Sequence, residues 1–557
     1  MIRILPASVI ALRGYRPRTF VADLVAGVTV GLVAVPLAMA FAIASGLPPE
    51  SGLYCAVLAG FLVSALGGSR VQVAGPTGAF VVVVAGIVAQ HGVSGLFMCT
   101  LMAGVALLVL ALTGLGTAIK YIPRPVVIGF TNGIAVLIAS TQIRDFFGLR
   151  LDAVPGEFLG RMQALAGAWP TLSVPATVLA AASLAVLVLL ARFAPRVPGP
   201  IVVLLGGTAA GYAMALPVET IATRFGGIPG GFPSPHIPAF RPDLVLTLLS
   251  PALTVAMLGA IESLMSAVVA DRMTGDRHNP NVELFAQGVA NVVSPLYGGL
   301  PATGAIARTA TNVRSGARTP VAGMIHALTV LAVLLFAAPL ARHVPLALLS
   351  AILFLVAWNM GEWREIPEIL KLSKGDIAVW AITFFLTVFA DLTVAVEAGM
   401  ILAALLYIRK VASTTTVSEI TPDYVARGEA HVLQGKDIPE GVALFAIHGP
   451  FLFGATDKLE ALDRRGDPLP PVVILRLRNM PAIDATGLGA LEDLAGRLRA
   501  RGQELVLCDM REQPARLMGQ AEFARHVGAG NLCATFREAL ARAREILARG
   551  AGSTTRT

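Results

Sequence analysis

Gly75-Pro76-Thr77-Gly78-Ala79 and Pro301-Ala302-Thr303-Gly304-Ala305 share one pattern, and each opens a short apolar run. Ile122-Pro123-Arg124-Pro125 follows the first stretch at nearly the interval at which Val344-Pro345-Leu346-Ala347 follows the second. The chain therefore carries an internal repeat. Its surroundings are apolar: of 557 residues 55% are hydrophobic and 14% charged, and the mean hydropathy is +0.73. Soluble proteins carry about 25% charged residues, and the deficit here lies before residue 411. Runs such as residues 25–47 are long enough to cross a hydrocarbon core about 30 Å thick, which takes roughly 20 helical residues.

Fourteen hydrophobic segments are expected, near residues 21–46, 51–67, 77–90, 94–115, 124–142, 171–192, 199–217, 244–270, 281–296, 303–313, 320–339, 344–361, 376–390 and 392–409. Several are too short to cross a membrane alone. Basic residues gather in alternate loops, among them Arg13, Arg16, Arg18, Lys120, Arg124, Arg192, Arg196, Arg272, Arg277, Arg314, Arg318, Arg409 and Lys410. The positive-inside rule then places both termini in the cytoplasm. The early arginines lead straight into spans, so no cleavable signal is expected. The same loop arginines account for the net charge of +8 without a nucleic-acid partner. Seven spans followed by seven give halves of opposite orientation, an inverted repeat. Paired Gly/Pro-interrupted segments in such halves point to a transporter's binding site near the bilayer midplane.

A half-helix that begins inside the membrane exposes unpaired N–H groups and about half a positive charge, so two facing starts form an anion site. Pro76 and Pro301 fit helix starts, where a missing N–H costs little. Gly78, Ala79, Gly304 and Ala305 let a ligand approach the backbone, and Thr77 and Thr303 offer hydroxyl donors. A single such stretch reads as a loop between spans; two at matched positions favour a site. Glu262, in Leu258-Gly-Ala-Ile-Glu-Ser-Leu-Met-Ser266, places an acid inside a span, at a cost of roughly 2.5–3.5 kcal/mol at a helix centre. Ser266 lies four residues on, along the same face. Glu262 is either a protonated glutamate bonded to a neighbouring helix or a coupling site for H+ or Na+. Arg308 strengthens the anion field, balances Glu262, or snorkels toward Arg314 and Arg318.

Outside the repeat the chemistry is sparse. His91, His236 and His343 fall in loops on the outer side without a companion at ligand spacing, and Asp391 and Glu397 flank the last span. Cys55, Cys99, Cys508 and Cys533 lie in no metal-like or redox-like spacing, so no metal and no cofactor is expected. After residue 410 the pattern changes to a polar linker, residues 411–439, with room for a first strand. Strands are expected at Val442–Phe453, Val472–Leu477 and Glu504–Cys508, and helices at Thr486–Arg501, Glu512–Val527 and Ala534–Ala548. This alternation indicates a small α/β domain over residues 440–550, followed by a disordered tail, 551–557. Asp484 caps the helix that starts near it. No catalytic constellation appears, so the chain is not read as an enzyme.

Pro36 to Phe41, Gly52-Leu53-Tyr54 and Gly75-Pro76-Thr77 look like the signature of the SulP family of sulfate permease-like anion transporters. The resemblance covers essentially the whole chain, and the C-terminal domain resembles the STAS module. It implies a transmembrane domain over 1–410 built of two seven-helix inverted repeats, split into core and gate domains. It also implies an elevator-like mechanism and a homodimer in the bacterial inner membrane. The family's anion site falls here on Phe41, Thr77, Gly78, Ala307 and Arg308, and its coupling acid on Glu262. Ile261-Glu262-Ser263, Val268-Val269-Ala270-Asp271, Met273-Thr274-Gly275, Ala305-Ile-Ala-Arg308, Asn312-Val-Arg314 and Val356-Ala-Trp-Asn359 look most like the bacterial dicarboxylate branch. That implies H+-coupled uptake of C4-dicarboxylates such as succinate, fumarate or aspartate. Sulfate transport, Na+-coupled bicarbonate transport and an anion sensor signalling through STAS are the alternatives. Leu37 stands where animal relatives often carry Gln, which makes the site more apolar. By the same resemblance Thr486 is a phosphoacceptor position, and acyl carrier protein is a candidate partner of the STAS domain.

Overall fold

The computed structural model describes residues 5–114, 116, 123–151, 154–194, 197–235, 241–390, 392–420, 438–459 and 469–553, and the chain divides into two units, 1–403 and 404–557. Lys120, Ile122, Arg196, His236, Asp391 and most of the 411–439 linker lie outside the described residues.

The first unit is helical. Its main helices are α1 (Pro17–Ala44), α2 (Pro49–Leu66), α3 (Gly78–Leu112), α4 (Arg124–Phe147), α5 (Val174–Phe193), α6 (Gly199–Ala213) and α7 (Val245–Thr274). They continue with α8 (Pro280–Val293), α9 (Ile306–Arg314), α10 (Val321–Ala341), α11 (Leu346–Met360), α12 (Lys374–Phe389) and α13 (Leu392–Thr414). Among the described residues, eight helices are long and apolar enough to cross a membrane by themselves. The rest include the nine-residue α9. Helix α3 holds two of the expected segments, because Gly92 at φ 69°, ψ −178° breaks it in the middle. With α3 counted twice, the helices cover all fourteen expected segments. The order α1–α2–strand–α3 recurs as α7–α8–strand–α9, where the strands are β1 (Ala74–Gly75) and β2 (Thr303–Gly304).

Packing sorts these helices into two groups. In one, α1 packs on α2 and α10, and α3 on α7 and α8; in the other, α4 packs on α11 and α12, and α5 on α6 and α11. Small residues set the spacing within the first group, as between helices in lipid generally. A Cβ on Gly52 would lie 1.9 Å from the Ala38 carbonyl oxygen, so α1 and α2 meet backbone to backbone. Two buried acids tie the helix ends. Asp23 accepts from the Arg318 and Thr319 N–H groups at 2.8 and 3.1 Å. Glu283 accepts from Gly68 and Ser69 at 3.0 and 3.1 Å.

The second unit is an α/β domain. Strands β3 (Thr416–Glu419), β4 (Val442–His448), β5 (Val472–Asn479), β6 (Glu504–Cys508) and β7 (Leu532–Cys533) form one sheet in that order, antiparallel between β3 and β4 and parallel elsewhere. Alternate residues fill opposite faces, as the two-residue strand period requires. Phe445, Leu475 and Leu507 pack with Leu491 and Leu494 of α14 (Ala485–Ala500). Leu444, Ile474 and Val506 pack with Phe536 and Leu540 of α16 (Phe536–Ser553). Burial pushes the Cys508 thiol up to about 12, which marks it as a packing residue.

Three expectations for this unit need correction, and a fourth is met. The strand expected over Val442–Phe453 stops at His448, because Gly449 at φ 97° and Pro450 turn the chain. The helix expected over Glu512–Val527 is two, α15 (Glu512–Gln520) and a single turn at Ala524–Val527, separated by Glu522 at φ 52°. The last helix runs through Ser553, past the tail boundary expected at 551, and 554–557 lie outside the described residues. The room left for a strand before residue 439 is taken by β3.

Gly52→Val should abolish folding of the helical unit, read as loss of a monodisperse peak on detergent size-exclusion chromatography. Gly86→Ala, where an added Cβ meets nothing within 4 Å, should leave the melting temperature equal or raise it, since alanine gains about 0.5–1 kcal/mol over glycine in a helix.

Candidate functional site

β1 and β2 cross inside the first unit. They pair antiparallel, Ala74 opposite Gly304 and Gly75 opposite Thr303, and the Ala305 N–H donates to Val73 O at 2.9 Å. Side chains of α9 extend the ladder. The Val73 N–H donates to Thr309 Oγ1 at 3.1 Å, and Asn312 Nδ2 donates to Val71 O at 2.9 Å. The non-helical backbone before each half-helix is thus paired with the other half. Both helices begin later than their prolines suggest: α3 starts at Gly78 behind Thr77, and α9 at Ile306 behind Ala305. Pro76 and Pro301 lie on the crossing segments, not at the first helical position, because β1 and β2 occupy the residues beside them.

The first turns of α3 and α9 open on a cavity of ≈ 300 Å³ that Phe41, Thr77, Gly78, Glu262, Gly304, Ala305, Ala307 and Arg308 line. Its wall is otherwise mostly apolar: Leu37, Val126, Val127, Phe130, Met265, Val356, Met360 and Met400. Gly78 packs closely on this wall: a Cβ there would come 2.6 Å from Met360 Sδ and 3.2 Å from Ile138, so the Met360 side chain would have to shift to admit one.

The charged residues are placed by this frame. Arg308, in the first turn of α9, is buried and donates through Nη2 to the Pro76 carbonyl. It faces Gly75, where a Cβ would lie 2.6 Å from its Nη1 and where φ is +146°. Arg308 therefore does not snorkel toward Arg314; it reaches back across the crossing. Glu262, on α7, is half-buried and accepts from the Thr77 hydroxyl at 2.9 Å. The acid of one repeat is thereby tied to the half-helix cap of the other.

Three expected site residues face elsewhere. The Thr303 hydroxyl donates to Gly259 O at 2.8 Å, so it binds α7 and not a ligand. The Ser266 hydroxyl donates to Thr309 Oγ1 at 3.0 Å, because α9 packs on that face of α7. Ala79 is buried and does not line the cavity. Behind Glu262, Ser263 Oγ accepts from Gln72 Nε2 at 2.8 Å and from Gln287 Nε2 at 2.9 Å, and it donates to Glu283 at 3.4 Å. That buried network backs the crossing. Gln72, Thr131 and Glu362 were not singled out from sequence, and Asn359 entered only through the dicarboxylate-branch resemblance; the signal of the first three is a polar residue at the edge of an apolar run.

The remaining candidates are peripheral. His343 is exposed against Tyr212, and His91 is half-buried at the Gly92 break. Glu397 is exposed on α13 and accepts from Ser250 at 3.3 Å. Among the described residues, no three His, Cys, Asp or Glu converge as metal ligands. In the second unit Thr486 is exposed in the first turn of α14. Asp484 caps that helix, accepting from Gly487 N at 2.8 Å, and also accepts from Phe453 N at 2.9 Å.

Residues 20–383 match the sulfate permease family, and residues 436–539 match the STAS domain. YvdB of Bacillus subtilis, a sulfate transporter by provisional name, is 40% identical over 518 residues, 93% of this chain and 96% of its own. The bicarbonate transporter BicA of Picosynechococcus sp. is 32% identical over 452 residues, 78% of each chain. The transmembrane domain of a cyanobacterial BicA superimposes with a TM-score of 0.62 at 34% identity, covering 69% of this chain and 98% of that one. Murine Slc26a9, an anion transporter solved in an inward-facing state, superimposes with a TM-score of 0.86 at 18% identity, covering 97% of this chain and 94% of that one; this likeness concerns the fold.

Gly304→Ala should disrupt the crossing, since a Cβ there falls 1.9 Å from Gln72 Nε2. The expected result is membrane-inserted protein with anion flux reduced by at least about tenfold in vesicles, the loss that follows when about 1.4 kcal/mol is withdrawn from binding.

Proposed function

We propose a specific transport reaction from one established premise: this chain belongs to the sulfate permease family, whose members are membrane anion transporters, and carries a C-terminal STAS domain. The reaction is cation-coupled uptake of a small oxyanion, bicarbonate first and sulfate second. The observation that carries it is the pair of half-helix starts opening on one cavity, with Arg308 the basic side chain among the described lining residues. Unpaired N–H groups at both starts and the dipoles behind them supply positive potential without further arginines. An oxyanion accepts from several such donors at once.

Charge balance favours a monoanion. Arg308 and Glu262 offset one another, so a cation bound at Glu262 leaves one net positive side chain for the anion. Co-transport of a proton with bicarbonate would only reproduce diffusion of CO2 and water, so the coupling ion in this reading is sodium. The second reading is H+-coupled uptake of C4-dicarboxylates, in which Glu262 carries the proton. The apolar wall of Leu37, Phe41, Met265 and Met360 and the ≈ 300 Å³ volume favour it. Elevator-like movement, a homodimer in a bacterial inner membrane with both termini cytoplasmic, phosphorylation of Thr486 and docking of acyl carrier protein are carried by the family resemblance alone.

The test is uptake of labelled bicarbonate, sulfate and succinate into proteoliposomes under an imposed Na+ or H+ gradient. Sodium-driven uptake of bicarbonate, competed by unlabelled bicarbonate, is the expected result. Proton-driven succinate uptake would replace it with the second reading, and no gradient-driven uptake of any of the three contradicts both. Glu262→Gln should lose accumulation against a gradient while retaining anion exchange. Arg308→Ala should lower both by at least about tenfold, one unit of about 1.4 kcal/mol in affinity.

A further inference from the structure

Glu362 occupies a position that its own backbone disfavours. It follows Gly361 at the C-terminal end of α11 with φ 41° and ψ 37°, the left-handed region in which a side chain is strained. One left-handed residue after a helix is ordinary, but that residue is usually glycine. Here the glycine stands one place earlier and is committed to packing. A Cβ on Gly361 would come within 2.1 Å of the Trp363 ring, and its carbonyl accepts from Asn132 Nδ2. Glu362 also caps the short helical stretch that follows, Trp363–Glu365 and Ile366–Ile369, so its carboxylate lies between the negative end of one helix and the positive end of the next. The strained residue lines the anion cavity.

Strain retained beside a ligand path points to a role for the group that bears it. Three features define this one. Glu362 is exposed, whereas Glu262 is half-buried and bonded to Thr77. The neighbouring cation, Arg124, is paired with Glu365. Arg308 is directed to the Pro76 carbonyl. The Glu362 carboxylate thus stands exposed at the edge of the cavity without an ion pair of its own among the described residues, in the fields of Arg124 and Glu365.

We propose that Glu362 is a charge-selectivity residue at the cavity mouth, lowering the local concentration of anions and raising that of cations. This rests on the reading of the cavity as the anion path. An anion leaving the half-helix site passes a repelling charge that hastens its release, and a coupling cation entering toward Glu262 passes an attracting one. The backbone strain is then the cost of a carboxylate that glycine or asparagine could not replace.

The test reads local potential and does not depend on which anion is transported. Thr131 lines the same cavity, and the four natural cysteines are buried. In a full-length Thr131→Cys background, the rates of modification by an anionic sulfonatoethyl and a cationic trimethylammonioethyl methanethiosulfonate are compared at low salt. Adding Glu362→Gln should speed the anionic reagent about threefold and slow the cationic one about threefold, the scale of one unit charge several ångströms away in water. Glu362→Gly, which also relieves the backbone, should give the same ratio. In the Thr131→Cys protein itself, high salt should bring the two rates together. An unchanged ratio in Glu362→Gln, or a change seen only in Glu362→Gly, overturns the proposal. Failure of either reagent to reach Thr131→Cys overturns it together with the reading of the cavity as a path.

Discussion

A polypeptide that stops being helical inside a bilayer must still pair its peptide groups, because no water is there to do so. Here each half of the repeat supplies that pairing to the other. β1 and β2 exchange backbone bonds, Thr309 and Asn312 satisfy Val73 and Val71, and Asn291 bonds both polar groups of Ala302, at 2.8 Å each. Neither half-helix start could exist alone at this depth. The crossing fixes where α3 and α9 begin, and their beginnings define the site.

Several features follow from the crossing. Glycine is required at 75, where φ is +146°, and at 304, where a Cβ would fall 1.9 Å from Gln72 Nε2 and 3.1 Å from the Ser263 Cα. In the proposed site a ligand would be offered mainly backbone donors, with the Arg308 guanidinium and the Thr77–Glu262 pair around them. Glu262 is coupled to the opposite half through the Thr77 hydroxyl. In the proposed reaction, a change in the protonation or cation occupancy of that carboxylate would be felt at the first turn of α3, where the anion would sit. Coupling between cation and anion would then need no long-range relay.

Much of this was legible in sequence because it rests on patterns that bilayers impose. Apolar length marked the spans, and Gly-Pro-Thr-Gly with Pro-Ala-Thr-Gly marked the interrupted ones. Phe41, Thr77, Gly78, Gly304, Ala305, Ala307, Arg308 and Glu262 meet around one cavity. What periodicity does not carry is the partner of a side chain. Thr303 and Thr77 hold the same place in their motifs, yet one hydroxyl meets Gly259 and the other Glu262. Ser266 shares a helical face with Glu262 by spacing, but α9 claims it. Pro76 and Pro301 suggested helix starts, and only the strand pairing between distant segments shows why the helices start later. Glu362 was invisible because its backbone conformation, not its residue type, sets it apart. In the second unit the alternation of strands and helices was clear, while breaks at Gly449 and Glu522 were set by local left-handed residues.

The account's central claim is that an anion is held between the N-terminal turns of α3 and α9. Diffraction from the full-length protein grown with bromide or selenate tests it most directly, through the anomalous signal of the bound anion. The account predicts a peak within hydrogen-bonding distance of the Gly78–Ala79 and Ala307–Arg308 backbone N–H groups, abolished in Gly304→Ala. A peak elsewhere in the membrane unit, with none between the two half-helices, would contradict it.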